Sequence, residues 1–136
     1  MTKDFVDTDV FLRFLTNDDP VKAKRVETLF RQAIKGQIQL ITNLLVIAEI
    51  VWTLESFYHL GKTDIVSKVE TILNTPNLLC SEAEIIVMAL ALYVQQNMDV
   101  IDAFHAYDLQ AQGLTKIVTY DHKHFKRVPR LEIYPI

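Results

Sequence analysis

Of the 17 Asp and Glu residues in this chain, four stand where their neighbours suggest chemistry rather than solvation: Asp7, Glu49, Asp102 and Asp121. Asp7 follows the apolar pair Phe5-Val6, and Asp121 follows the strand-favouring run Ile117-Val118-Thr119-Tyr120. Both therefore sit just beyond the last residue of an expected strand. Glu49 lies in the middle of Leu44 to Leu54, a segment apolar around nearly its whole circumference, with no Lys or Arg of its own to compensate a buried charge. Asp102 opens an expected helix beside Ala103 and Ala106, residues small enough to let that helix approach a sheet closely. Carboxylates gathered together repel, and each is pushed towards its protonated form unless a cation offsets the field. Oxygen donors without a paired Cys or a metal-spaced His motif select a hard divalent ion. Mg2+ and Mn2+ fit, because they keep waters and bind phosphate.

Each position also has a plainer reading. Asp99 and Asp102 form an acidic pair able simply to cap exposed N–H groups and favour the helix dipole, and Glu49 could border a thin polar seam beside Thr53. His122 and His124 follow Asp121 and are expected on a turn surface, although within reach of substrate or metal, and His59 is treated alike. His105 shares a helical face with Asp102 but is expected to fill core or surface rather than orient a carboxylate. The lone Cys80 has no partner for a disulfide, and its neighbours Leu78 and Leu79 suggest a small buried side chain.

The elements that must position these groups follow from pattern and punctuation. Phe5-Val6 reads as a strand, Val10 to Leu15 as a short helix, and Asp19-Pro20 as the cap and first residue of a helix carrying Val21, Val26, Leu29, Phe30 and Ala33 on one face. The opposite face carries Lys22, Lys24, Arg25, Arg31 and Lys35, expected as a solvated face, with a phosphate track as the sharper alternative. Gly36 stops that helix, Ile38 to Ile41 fits a strand, and Thr42-Asn43 caps the Leu44 to Leu54 helix. Beyond the Gly61-Lys62-Thr63 break come a helix from Ile65 to Leu73, a strand at Leu78 to Cys80, and a Ser81/Glu84 capping box ahead of an Ile85 to Val94 helix. Asp99 caps the next helix, Gly113 closes it, and strands at Ile117 to Tyr120 and Leu131 to Tyr134 finish the chain. Alternating strands and helices predict an α/β sandwich with a largely parallel sheet, whose ligands bind beyond the carboxyl ends of the strands.

A chain of 136 residues, half of them hydrophobic, can bury one good core and little more, so a single domain over 1–136 is expected. The opening Met-Thr-Lys-Asp-Phe lacks a secretory signal and no apolar run approaches spanning length, which predicts a soluble, cytoplasmic protein with no membrane association. A net charge of −3 argues against a pure nucleic-acid-binding module, and less against a nuclease that gathers its carboxylates in one place.

Four segments together, Phe-Val-Asp7-Thr-Asp-Val-Phe-Leu, Ala48-Glu49-Ile50-Val51-Trp52, Asp99-Val-Ile-Asp102-Ala-Phe-His-Ala and Val118-Thr-Tyr-Asp121, resemble PIN domains, especially VapC-type toxins of toxin-antitoxin pairs. The resemblance spans the whole chain and implies a three-layer sandwich around a central, mostly parallel five-stranded sheet. It also implies a Mg2+- or Mn2+-dependent endoribonuclease with Asp7, Glu49, Asp102 and Asp121 as catalytic and metal-holding residues. Asp99 matches an often acidic secondary position. Asp9 departs from the family, which usually has Asn there, and is a further metal candidate. The implied partners are RNA with unpaired stretches, an antitoxin protein and a second copy of the chain. Trp52, Phe57 and Tyr58 could make such protein contacts, but core packing is the expectation.

Three other readings compete. A phospho-acceptor domain also places acidic residues at strand ends, but its adjacent acidic pair is missing and a helical glutamate has no role there. A PIN-like module binding RNA or protein without cutting is opposed by carboxylates at all four positions. A housekeeping RNA-processing nuclease differs from a toxin only in lacking an antitoxin.

Overall fold

The computed structural model describes residues 1–136, which gather into two compact units, Met1–Ala83 and Glu84–Ile136. In the first unit the chain runs β1 (Thr2–Phe5), α1 (Thr8–Thr16), α2 (Pro20–Ile34), β2 (Ile38–Thr42), α3 (Leu44–Ser56), α4 (Lys62–Leu73) and β3 (Leu78–Cys80). The three strands form a parallel sheet in the order β1-β2-β3, with Phe5 opposite Ile41 and Leu40 opposite Leu78. Parallel neighbours need long crossovers, and the helix pairs α1–α2 and α3–α4 supply them.

The local signals act where the sequence placed them. Asp19 accepts from the Lys22 N–H with Pro20 at the first helical position, and Asn43 accepts from the Val46 N–H at the start of α3. Gly36 takes φ +76, a conformation that costs any other common residue strain, and turns the chain from α2 into β2. Phe30 of α2 meets Phe11 at 5.8 Å and Phe14 edge-on at 4.8 Å, which fastens α1 to α2. Leu40, at the centre of the sheet, is fully buried, and truncating such a side chain to alanine typically costs about 2–5 kcal/mol.

The second unit contains α5 (Ala83–Gln95), α6 (Val100–Ala111), β4 (Lys116–Ile117), α7 (His122–Phe125) and β5 (Glu132–Ile133), with β4 and β5 paired in parallel. Gly113, at φ +83, closes α6 as expected.

The expectation of one central five-stranded sheet is corrected: the chain forms a three-stranded and a two-stranded parallel sheet. Pairing of β5 ends between Pro129 and Pro135, with Arg130 at φ 64, so only Glu132 N to Thr115 O and Tyr134 N to Ile117 O extend the ladder. Val118 and Tyr120, expected within a strand, are 64% and 83% exposed beyond the pairing. Smaller corrections follow. α5 starts at Ala83 after Glu82 at φ 66, so Ser81 is not its N-cap. Val21 is exposed rather than on the buried face of α2. Cys80 is only partly buried, its Sγ donates to the Ser81 carbonyl at 3.5 Å, and burial followed by the Glu82 charge pushes the thiol pKa up. No helix is long and apolar enough to cross a membrane.

Candidate active site

In the first unit the acidic residues are placed by one small side chain. Val6 donates its N–H to Ile41 O at 2.8 Å, so the sheet holds the chain up to the residue before Asp7. Asp7 then leaves the strand in extended conformation and becomes the N-cap of α1, its Oδ1 accepting from the Thr8 N–H at 2.8 Å. Thr8 is buried, and its hydroxyl donates to Glu49 Oε1 at 2.7 Å. Asp7, Thr8 and Glu49 are thus one connected group at the carboxyl end of β1.

Glu49 itself is exposed, as in the plainer reading of a polar seam, and not the buried charge that the apolar helix suggested. The reason lies along α3. Leu45 and Trp52, one turn before and one after Glu49, are 73% and 68% exposed, so this apolar helix keeps an open stripe with the carboxylate in it. Phe57 is 71% exposed as well, and with Trp52 it overturns the expectation of core packing for these aromatics, while Tyr58 is half-buried. Asp9 is exposed and stands beside Arg13 on α1 rather than in the hydrogen bonds that link Asp7 to Glu49.

In the second unit Asp99 caps α6 by accepting from the Ile101 N–H at 2.9 Å, and Asp102 follows in the first turn. Asp121 caps α7 by accepting from the His124 N–H at 3.1 Å, and its Oδ2 lies 2.9 Å from His124 Nδ1. Asp121 also donates its own N–H to Thr119 Oγ1 at 3.0 Å. The electrostatics of the two carboxylates diverge. Burial, then the charges of Asp99 and Asp121, raise the Asp102 pKa against a smaller opposing pull from His105 and His124. Hydrogen bonding from His124 lowers that of Asp121.

His124 is therefore engaged with Asp121 rather than merely a surface turn residue, whereas His122, His105 and His59 are exposed. Sequence reasoning singles out neither Thr8 nor the pairing of His124 with Asp121. An Asp followed three residues later by a polar side chain at a helix start was the available signal for the second. A hydroxyl reaching 41 residues along the chain leaves none.

Within neither unit do three or more His, Cys, Asp or Glu side chains gather at ligating spacing. The donor chemistry still suits a hard cation. Mg2+ is ordinarily held by one or two carboxylates while keeping several waters, and the charges of Asp99 and Asp121 that raise the Asp102 pKa are ones a cation would offset.

A family model described as PIN domain matches residues 5–131. The chain is 28% identical over 123 residues to the VapC ribonuclease of Aquifex aeolicus (strain VF5), covering 90% of each sequence. Among solved structures it is similar to VapBC2 from Rickettsia felis bound to a DNA fragment from their promoter, at 18% identity over 98% of each chain with a TM-score of 0.39. It is also similar to Mycobacterium tuberculosis VapC20, a sarcin-ricin loop cleaving toxin, at 15% identity over 89% of this chain and 92% of that one, with a TM-score of 0.41.

Proposed function

Because the chain belongs to the PIN domain family, whose model spans residues 5–131, we propose that it is a metal-dependent endoribonuclease and the toxin of a toxin-antitoxin pair. The observation that carries this reading is Asp102, a half-buried carboxylate whose pKa is raised by burial and by two neighbouring carboxylates. Such an arrangement costs stability in the metal-free protein, and strained titratable groups of this kind concentrate at functional sites. Asp7, Glu49, Asp102 and Asp121 are the residues proposed to hold Mg2+ or Mn2+, with Asp99 and Asp9 as secondary candidates. When bound, the ion would neutralise charge on the phosphodiester and ease deprotonation of the attacking water.

The chain's own groups do the positioning. Thr8 occupies Glu49 Oε1, which fixes the carboxylate and leaves Oε2 free to orient a water or accept its proton. His124 holds Asp121 ionised and fixes its rotation. The relative's name, VapC ribonuclease, supports RNA as substrate, and unpaired RNA is preferred because a flexible strand can present its backbone to carboxylates. An antitoxin and a second copy are the proposed protein partners, supported by the open apolar stripe of Leu45 and Trp52, and the cytoplasm is the proposed location.

The test is incubation of the purified protein with a mixed RNA pool in EDTA, Mg2+ or Mn2+, beside Asp7→Asn and Asp102→Asn. Cleavage that needs the metal and disappears in both variants is expected. Absence of cleavage together with absence of metal binding would replace this reading with a non-catalytic PIN-like binding module.

A further inference from the structure

Three depressions on the first unit share their walls. The first, about 330 Å3, is lined by Asp9, Arg13, Asp18, Phe57 and Tyr58 among others. Asp9 and Arg13 also line the second, about 230 Å3, together with Lys22 and Arg25. Arg25 in turn lines the third, about 450 Å3, with Val21, Lys24 and Thr28. Linked by these shared residues, they lead in sequence from the C-terminal end of α3, past α1, onto the first half of α2.

The chemistry along the path changes in an ordered way. At one end Phe57 is 71% exposed and meets Tyr58 edge-on at 5.0 Å. Tyr58 is held there because its hydroxyl donates to Asp18 Oδ2 at 2.5 Å, while Asp18 Oδ1 takes Arg13 at 3.1 Å. Asp18 is thereby spent on its neighbours. Lys22, Lys24 and Arg25 are exposed and form no ion pair within the protein, so with Arg13 they outnumber the one unpaired carboxylate on this stretch, Asp9, although the whole chain carries −3. Exposed rings leading into a groove with an excess of cations are what a flexible polyanion with flat bases requires: stacking at the rings and phosphate contacts along the cations.

We propose that this path is the track of the single-stranded RNA substrate, with a base against Phe57 and Tyr58 and the phosphate backbone over Arg13, Lys22, Arg25 and Lys24. The proposal rests on the nuclease reading above and adds to it where the strand runs. Asp9, in the wall shared by the first two depressions and two residues from Asp7, marks where the track passes nearest to that carboxylate in the chain.

The probe is an unstructured, fluorescein-labelled RNA of roughly 12 nucleotides, within the site sizes of single-strand grooves. Its binding is followed by anisotropy against salt concentration, on the full chain carrying Asp102→Asn so that the probe is not cut. Lys22→Gln with Arg25→Gln is compared with Arg31→Gln with Lys35→Gln, an equal charge change on the same helix off the path. The path pair is expected to weaken binding at least tenfold and to flatten the slope of log K against log salt by about 1.4, near 0.7 per lost phosphate contact. The other pair should change little, and Phe57→Ala should weaken binding about fivefold or more without altering the slope. Equal losses for both charge pairs would overturn the track, since only the general field would then matter. So would unchanged RNA affinity in the path pair with loss of binding to a poly-glutamate peptide, which assigns the face to an acidic protein partner. In either case cleavage of the RNA pool by the unsubstituted chain keeps the nuclease reading standing, whereas a chain that neither binds nor cuts RNA overturns both.

Discussion

The Thr8 hydroxyl donates to Glu49 Oε1 at 2.7 Å, tying together residues 41 apart in the sequence. Since the Thr8 N–H is itself held by Asp7 Oδ1, one buried residue orients two carboxylates that the sequence keeps on different elements.

Thr8→Val keeps the volume of that side chain and removes only the hydrogen bond. The expected result is a stability loss of about 1 kcal/mol and a fall in RNA cleavage of roughly tenfold or more, with Thr8→Ser restoring both. Thermal melts and cleavage rates measured side by side check it, and a valine variant with undiminished turnover would show that Thr8 does not position Glu49.

Asp102→Asn is expected to separate stability from activity. The Asp102 pKa is raised, so the native state holds that proton more tightly than the unfolded chain does. The cost of ionising it is absent at pH below the ordinary carboxylate range, grows as pH rises through the raised value, and is complete above it. In EDTA at neutral pH the asparagine variant should therefore melt higher than the parent, the advantage should vanish on acidification, and cleavage should be lost. A lower melting temperature at neutral pH would count against the electrostatic strain.

His124→Ala is expected to reduce cleavage by about 10- to 100-fold and to raise the Mg2+ concentration needed, because it frees Asp121 to rotate. Asp121 runs the opposite way to Asp102: its pKa is lowered by His124, so its contribution is present above the ordinary carboxylate range and is lost as pH falls through the lowered value. His124→Ala should accordingly raise the Asp121 pKa, a shift readable by NMR titration of the side-chain carboxyl.

Trp52 is the single tryptophan and is 68% exposed, so it reports on the open stripe of α3 without labelling. Its emission should lie near that of a solvated indole and be readily quenched by acrylamide. Self-association or partner binding through this stripe should shift the emission to shorter wavelength and protect it. Association with no change in Trp52 would place the interface elsewhere.

The helices were readable because their ends are local chemistry. Asp19-Pro20, Asn43, Asp99 and the glycine at 36 each fix a boundary through atoms within a few residues. The helix-start positions of three candidate residues were readable for the same reason, since Asp7, Asp99 and Asp121 are N-caps. What failed depends on distant partners. Whether a uniformly apolar helix such as α3 is covered on every side is decided by what packs on it, and Leu45, Glu49 and Trp52 remain open. The expected strand over Ile117 to Tyr120 is cut short likewise, because strand-favouring residues make a strand only where a neighbour supplies hydrogen bonds, and β5 pairs only with Lys116 and Ile117.

Asp7, Asp99 and Asp121 each also begin a helix, with a side-chain oxygen accepting a backbone N–H. Asparagine performs that task about as well as aspartate, and a single nucleotide change converts one codon into the other. A single base change at each position can thus remove a carboxylate charge while keeping the helix start that residue makes. Charge at these three positions is therefore free to vary without cost to the helix starts, whereas a change to alanine would give up both at once.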